Sequence, residues 1–80
     1  MADRHIHLTF PSKKIKEPVV YQLGQKFKVI TNIRRANVSL DSGWMDLAVK
    51  GDEKEIDKAV EWLKKSGVRV DPVTGDIVEG

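Results

Sequence analysis

Three kinds of side chain in this sequence have the types and spacing to bind a ligand. The amide of Asn32 carries donors and an acceptor that suit the carboxylate or amine of an amino acid, and it would equally cap a turn before a strand. His5 and His7 are two residues apart, so on a strand they share one face, where they could approach a metal ion or form a pH-sensitive polar surface. Trp44 could stack on a ligand or lie in a subunit contact.

The charged residues narrow the choice of partner only slightly. Lys13, Lys14 and Lys16 could hold an anionic ligand, and they are also typical of a solvated loop. Fourteen Lys and Arg against twelve Asp and Glu leave a net charge of +2, which is too balanced to indicate nucleic acid or an anionic membrane. The sequence has no cysteine, which excludes disulfides, thiolate metal sites and iron–sulphur clusters. We predict no metal and no cofactor.

Length and hydropathy predict a small soluble protein. No stretch approaches the ~20 apolar residues that a membrane-spanning helix needs, and the first apolar stretch, residues 6–10, is short, alternating and contains histidine, unlike a signal peptide. We expect a cytoplasmic location without membrane insertion. Residues 1–80 are expected to form one domain with its core in residues 4–71, and a chain this short would gain stability from self-association.

The first half of the chain alternates between strand and helix patterns. Residues 4–10 alternate as a strand that Pro11 ends, and Pro18 suits the first turn of a helix. Gly24 lies on the apolar stripe of that helix, and we expect close packing of helix on sheet to require it. The stripe comprises Val20, Leu23, Gly24 and Phe27.

The second half predicts a hairpin, a helix and a last strand. The hairpin turns at residues 41–43, and Asp52 with Glu55 has the spacing of a capping box for the helix that follows. Gly67 supplies a left-handed stop. A strand then begins at Val68, and residues 72–80 are a short strand or a tail.

The order β-α-β-β-α-β predicts a ferredoxin-like α+β sandwich, a four-stranded antiparallel sheet with two helices on one face. The other face is then open for a ligand, a nucleic acid or another subunit. Alternation assigns these residues to the open face: His5, His7, Thr9, Arg35, Asn37, Ser39, Trp44, Asp46, Ala48 and Lys50. It assigns these to the covered face: Ile6, Leu8, Phe10, Ala36, Val38, Leu40, Met45, Leu47 and Val49.

Several segments together resemble the NIL domain family, a ligand-binding module named for an Asn-Ile-Leu motif. The resemblance covers residues 6–70. It rests on Thr9-Phe10-Pro11, Asn32-Ile33, Ala36, Gly43, Gly51-Asp52 and the Ala59, Trp62-Leu63, Gly67-Val68, Val70 pattern. The resemblance implies the ferredoxin-like fold. Family members close the ATPase subunit of methionine-import ABC transporters or precede iron–sulphur ferredoxin modules. The transporter members dimerise through their sheets and bind methionine near the interface, where the motif's Asn is important.

Two residues depart from the family pattern. Arg34 stands where the motif usually has Leu or Ile, and Asp46 occupies a position that is more often apolar, so both favour a ligand more polar than methionine. We also expect a free-standing domain, without an attached ATPase or ferredoxin module. The candidate ligand-binding residues are Asn32, Ile33, Arg34, Asn37, Trp44 and Asp46.

The resemblance implies that the chain is a regulatory domain that senses methionine or a related sulphur amino acid at a homodimer interface. The alternative is a protein-docking accessory module in homocysteine metabolism, with a ferredoxin-type or transporter partner. RNA binding would need the aromatic signature of an RNA-recognition motif, which is absent. An acylphosphatase-like site would need an arginine within residues 11–17, and this segment contains none. A heavy-metal chaperone would need Cys-x-x-Cys, which is also missing. We therefore predict that the chain is not an enzyme.

Overall fold

The computed structural model describes residues 2–15 and 17–73, which fold as the predicted ferredoxin-like sandwich. The sheet has the order β2-β3-β1-β4 with every neighbouring pair antiparallel. A short strand or tail was expected at residues 72–80. Pro72 ends the last strand, and residues 74–80 lie outside the described residues. The elements are β1 (Ala2–Phe10), a 3-10 turn (Ser12–Lys14), α1 (Val19–Lys26), β2 (Val29–Val38), β3 (Gly43–Gly51), α2 (Glu53–Lys65) and β4 (Arg69–Pro72).

The core lies between the helices and the two central strands. The inward-facing residues of β1 and β3 are buried beneath the apolar stripes of α1 and α2, as their alternation and helical spacing predicted. Burying each large aliphatic side chain stabilises the fold by about 1.5–3 kcal/mol. The largest fully buried side chains are Leu8, Leu23, Leu47, Val49, Ile56 and Leu63.

The start of α2 differs from its prediction. Asp52 occupies the N-cap position, but its side chain makes no capping hydrogen bond, so the expected capping box is wrong. Glu55 instead accepts a hydrogen bond of 3.0 Å from the backbone N–H of Lys28. That bond lowers the pKa of Glu55 below its ordinary value, and it ties α2 to the connection between α1 and β2. At the other end of α2, Gly67 has a φ of 95°, which confirms the left-handed stop.

β2 is one of the two edge strands, and the helices leave most of it uncovered. Only Val29 among its ten residues is buried. The eight residues of α1 span about 12 Å, whereas the ten of β2 span about 33 Å. The prediction that Val38 and Leu40 are covered is therefore wrong, because Val38 is 58 % exposed and Leu40 lies in the hairpin loop at 95 % exposure. Ala36 is exposed as well.

A β-bulge at Arg34 determines which face of the sheet the later residues of β2 occupy. Ile33 pairs with Leu47 and Arg35 with Asp46, so Arg34 is an extra residue in the ladder. Without it, every residue after position 34 would point to the opposite face. Because of the bulge, Asn32 and Arg35 share the open face, and Ile33 and Val38 share the helix side.

Neither helix within residues 2–15 and 17–73 is long and apolar enough to cross a membrane.

Candidate functional site

On the open face, side chains of β2, β3 and β1 lie in rows across the sheet. The strand register places Asn32 and His5 on either side of Ala48, and Arg35 and His7 on either side of Asp46. This confirms the faces that alternation predicted for β1 and β3. Asn32 is the fourth residue of β2, so the interpretation that it caps a turn before the strand is wrong.

One half of the open face is a closed network centred on Asp46. His7 donates through Nδ1 to Oδ1 of Asp46 at 2.6 Å, and Arg35 donates through Nε and Nη2 to Oδ2 at 3.1 and 2.9 Å. The Asp46 side chain is only 14 % exposed. The hydrogen bond from His7, and after it that from Arg35, lowers the pKa of Asp46, although partial burial acts in the opposite direction. Asp46 is therefore a carboxylate already satisfied by protein groups.

Trp44 belongs to the same network. Its ring stacks on His7, with centroids 5.5 Å apart and planes at 22°, and the Arg35 guanidinium carbon lies 5.9 Å from its centroid. Asn37 pairs with Trp44 in the β2–β3 ladder. These contacts hold Trp44 in place from within the domain.

The other half of the open face carries polar groups that the protein leaves free. Within the described part of the chain, the side chains of Asn32, Arg34 and Lys50 make no hydrogen bond or ion pair with another protein group. They surround a concavity of about 460 Å³ whose floor includes Ala48, a residue with 9 % exposure. The remaining walls are Asp3, His5, Ile30 and Thr31. We call this concavity the Asn32 cleft.

A second concavity of about 420 Å³ adjoins it. Arg34 and His5 line both, and Arg35 and Asp46 line the second. The bulge residue Arg34 therefore stands between the free groups and the closed network.

The structure brings together some of the sequence-predicted site residues and separates others. Asn32 and Arg34 meet in the Asn32 cleft, whereas Asn37, Trp44 and Asp46 form or adjoin the closed network. Ile33 points to the helix side, where it is 51 % exposed, so it is not part of either group.

Sequence reasoning left several residues of the Asn32 cleft and the network out of the site, among them the charged residues Lys50, Arg35 and Asp3. Lys50 and Arg35 had been assigned to the open face by alternation, but pairing partners across strands are not visible in one sequence. Asp3 lay before the predicted start of the first strand, which in fact begins at Ala2.

The two histidines are engaged in separate contacts with carboxylates. His5 Nε2 lies 3.7 Å from Asp3, and His7 Nδ1 lies 2.6 Å from Asp46. Over residues 2–15 and 17–73, no group of three His, Cys, Asp or Glu side chains has an arrangement that could hold a metal ion.

The fold and the polar open face define a ferredoxin-like domain with a candidate binding surface, and comparison with known proteins gives its family. The family model of the NIL domain matches residues 4–72, so the chain belongs to the NIL domain family. The sequence matches none of the curated proteins.

A solved structure shares the fold. It is the C-terminal domain of an ABC transporter ATP-binding protein from Enterococcus faecalis, with a TM-score of 0.78 and 22 % identity. The match covers 90 % of this chain and 84 % of that one. At this identity the likeness shows the fold alone.

Proposed function

We propose that this protein is a regulatory domain that binds methionine or a related sulphur amino acid in the Asn32 cleft and acts without catalysis, cofactor or metal. Its family membership supports a ligand-binding role, and it would work in the cytoplasm alongside a transporter or ferredoxin-type partner. The observation that carries the proposal is the set of free polar side chains around the cleft: Asn32, Arg34 and Lys50.

The charges of the Asn32 cleft complement an amino acid zwitterion. Arg34 and Lys50 offer cations to the carboxylate, and an arginine can bind it through two parallel hydrogen bonds. Asp3 offers a carboxylate to the ammonium group, and the amide of Asn32 can serve either end. Ile30, which is 62 % exposed in the same cleft, offers apolar surface to the tail of the ligand.

The proposed site includes a second copy of the chain along β2. The outer edge of β2 is unpaired in the sheet, and an exposed edge strand with apolar side chains favours pairing with another chain. Asn32 and Arg34 lie on this strand, so a partner there would narrow the mouth of the Asn32 cleft.

Calorimetry tests the proposal. Methionine, homocysteine, cysteine and an O-acylated homoserine are titrated into wild type, Asn32→Ala and the control Gln25→Ala, which removes an exposed amide from α1 on the other side of the sheet. We expect at least one ligand to release heat on binding to wild type and Gln25→Ala. Asn32→Ala should bind it about 10- to 100-fold more weakly, the loss expected for hydrogen bonds to charged groups.

Two results contradict the proposal in different ways. No heat with any of the four compounds would favour the alternative, a module that docks another protein. Equal affinities for wild type and Asn32→Ala would show that Asn32 does not contact the ligand.

A further inference from the structure

A second concavity of a different character lies on the opposite side of the sheet. It has a volume of about 210 Å³ and is bounded by the start of α1, the end of β1 and the helix side of β2 and β3. We call it the helix-side groove. Its apolar walls include Phe10, Ile15, Val19, Ile33, Val38 and Met45.

Among the described residues, the two charged side chains at the helix-side groove pair with each other and leave no unpaired charge for an ionic ligand. They are Lys14 and Glu17, whose side chains lie 3.4 Å apart. The groove therefore suits an uncharged apolar group. A cavity of about 150 Å³ with aliphatic and aromatic walls holds a benzene-sized molecule, so this groove has room for the four-carbon side chain of leucine.

Such a side chain projects from the neighbouring hairpin loop. Leu40 is 95 % exposed, the highest value among the large hydrophobic residues of the described chain. Hydrogen bonds across the loop hold it closed: the backbone N–H of Ser39 donates to the carbonyl of Ser42 at 2.8 Å, and Ser39 Oγ donates to the same carbonyl at 3.1 Å. Leu40 is thus presented to solvent and does not fold into the groove beside it.

Leu40 and the helix-side groove lie next to each other, as reciprocal insertion in a two-fold dimer requires. Val38 and Gly43 line the groove and also flank the loop that carries Leu40. In an isologous interface the same patch serves both copies, so a projection and a recess that adjoin each other can be exchanged reciprocally about the two-fold axis.

We propose that Leu40 of one copy inserts into the helix-side groove of a second copy, and the reverse, to form a dimer along β2. This rests on the dimer in the proposed function and assigns the surfaces that form it. The contact would also cover Ile33 and Val38, which are half-exposed on the helix side of β2. It would leave the Asn32 cleft on the opposite face of the sheet accessible to a small ligand.

Sedimentation equilibrium of the full chain without ligand tests the assignment. Wild type should be dimeric at about 100 µM, a concentration that reveals micromolar affinity. Leu40→Gln should raise the dissociation constant about 100-fold or more, because each of two symmetric contacts loses a buried leucine side chain. The control is Gln25→Ala, which changes an exposed residue of α1 that does not line the groove, and it should change the constant less than about threefold.

A monomeric wild type at this concentration would overturn the assignment, and so would a dimer that Leu40→Gln leaves intact. A dimer that Leu40→Gln leaves intact would not affect the proposed function, whereas a monomeric wild type would also remove the second copy from the proposed site. Amino acid binding itself is tested separately by the calorimetry.

Disulfide trapping gives an independent measurement, because the chain has no native cysteine. Leu40→Cys protein is mixed with Ile33→Cys protein and oxidised, and in parallel with Ile30→Cys protein as the control for the open side. We expect a mixed disulfide mainly in the first mixture. Equal trapping in both mixtures, or trapping only with Ile30→Cys, would contradict insertion of Leu40 into the groove.

Discussion

At the scale of single residues, Asp46 organises half of the open face. It accepts hydrogen bonds from His7 and Arg35, and both donors also contact Trp44. A polar network whose members satisfy one another is rigid, and here it engages both carboxylate oxygens of Asp46. The free groups of the Asn32 cleft, by contrast, are available for recognition. The neighbouring network thus fixes the strands on which these groups stand.

The first prediction concerns acid stability. The folded-state pKa of Asp46 is lowered from its ordinary value near 3.8, so its contribution to stability is present above that value and is lost as pH falls through the folded pKa. Asp46→Asn should therefore lose less stability than wild type as pH falls below about 4. Urea denaturation between about pH 2 and 6 measures this.

The control for that experiment is Asp41→Asn, which removes an exposed carboxylate from the hairpin loop. It should follow the wild-type curve. Parallel curves for wild type and Asp46→Asn would show that the network does not stabilise the charged form of Asp46.

The second prediction concerns Arg34. If its guanidinium binds the carboxylate of the ligand, Arg34→Leu should weaken binding about tenfold and make the affinity less dependent on salt. Calorimetry at two ionic strengths measures both effects. Arg69→Leu, which removes another exposed arginine from the edge strand β4, should leave affinity unchanged. An Arg34→Leu protein with wild-type affinity would remove this residue from the proposed site.

At the scale of elements, the sequence predicted best where helices cover strands. β1 and β3 are buried on one side along most of their length, so their alternation assigned the faces correctly. β2 lies at the edge beside a short helix, and exposure there depends on how far α1 reaches, which alternation does not encode. The bulge was also invisible, because Arg34 and its neighbour Arg35 are both polar and fit either register.

The third prediction uses two glycines with opposite surroundings. The expectation that close packing requires Gly24 is wrong, since a Cβ built there meets no atom within 4 Å. Gly24→Ala should stabilise the protein by about 0.5–1 kcal/mol through higher helix propensity. At Gly51 a Cβ would lie 2.9 Å from the carbonyl oxygen of Lys28, so Gly51→Ala should destabilise the protein. Thermal unfolding checks the signs, and stabilisation by both changes would contradict this packing of β3 against β2.

At the scale of the whole molecule, the two sides of the sheet have different chemistry. The open side presents free polar groups around Ala48, and the helix side presents an apolar groove beside an exposed leucine. The family and the fold were predictable from the sequence because motif residues and hydrophobic periods agree over residues 4–72. The difference in chemistry between the two sides was not predictable from the sequence, because it depends on strand pairing and on how far α1 extends along β2.

The most direct test of the central claim is to map where an amino acid binds. Methionine and the best ligand of the calorimetric panel are titrated into ¹⁵N-labelled protein, and backbone amide shifts are followed by NMR. Binding in the Asn32 cleft predicts that the largest shifts occur at Asn32, Arg34, Ala48 and Lys50, with little change at Phe10 and Val19 in the helix-side groove. Shifts centred on the groove, or no shifts up to about 10 mM ligand, a concentration that detects even millimolar affinity, would contradict it.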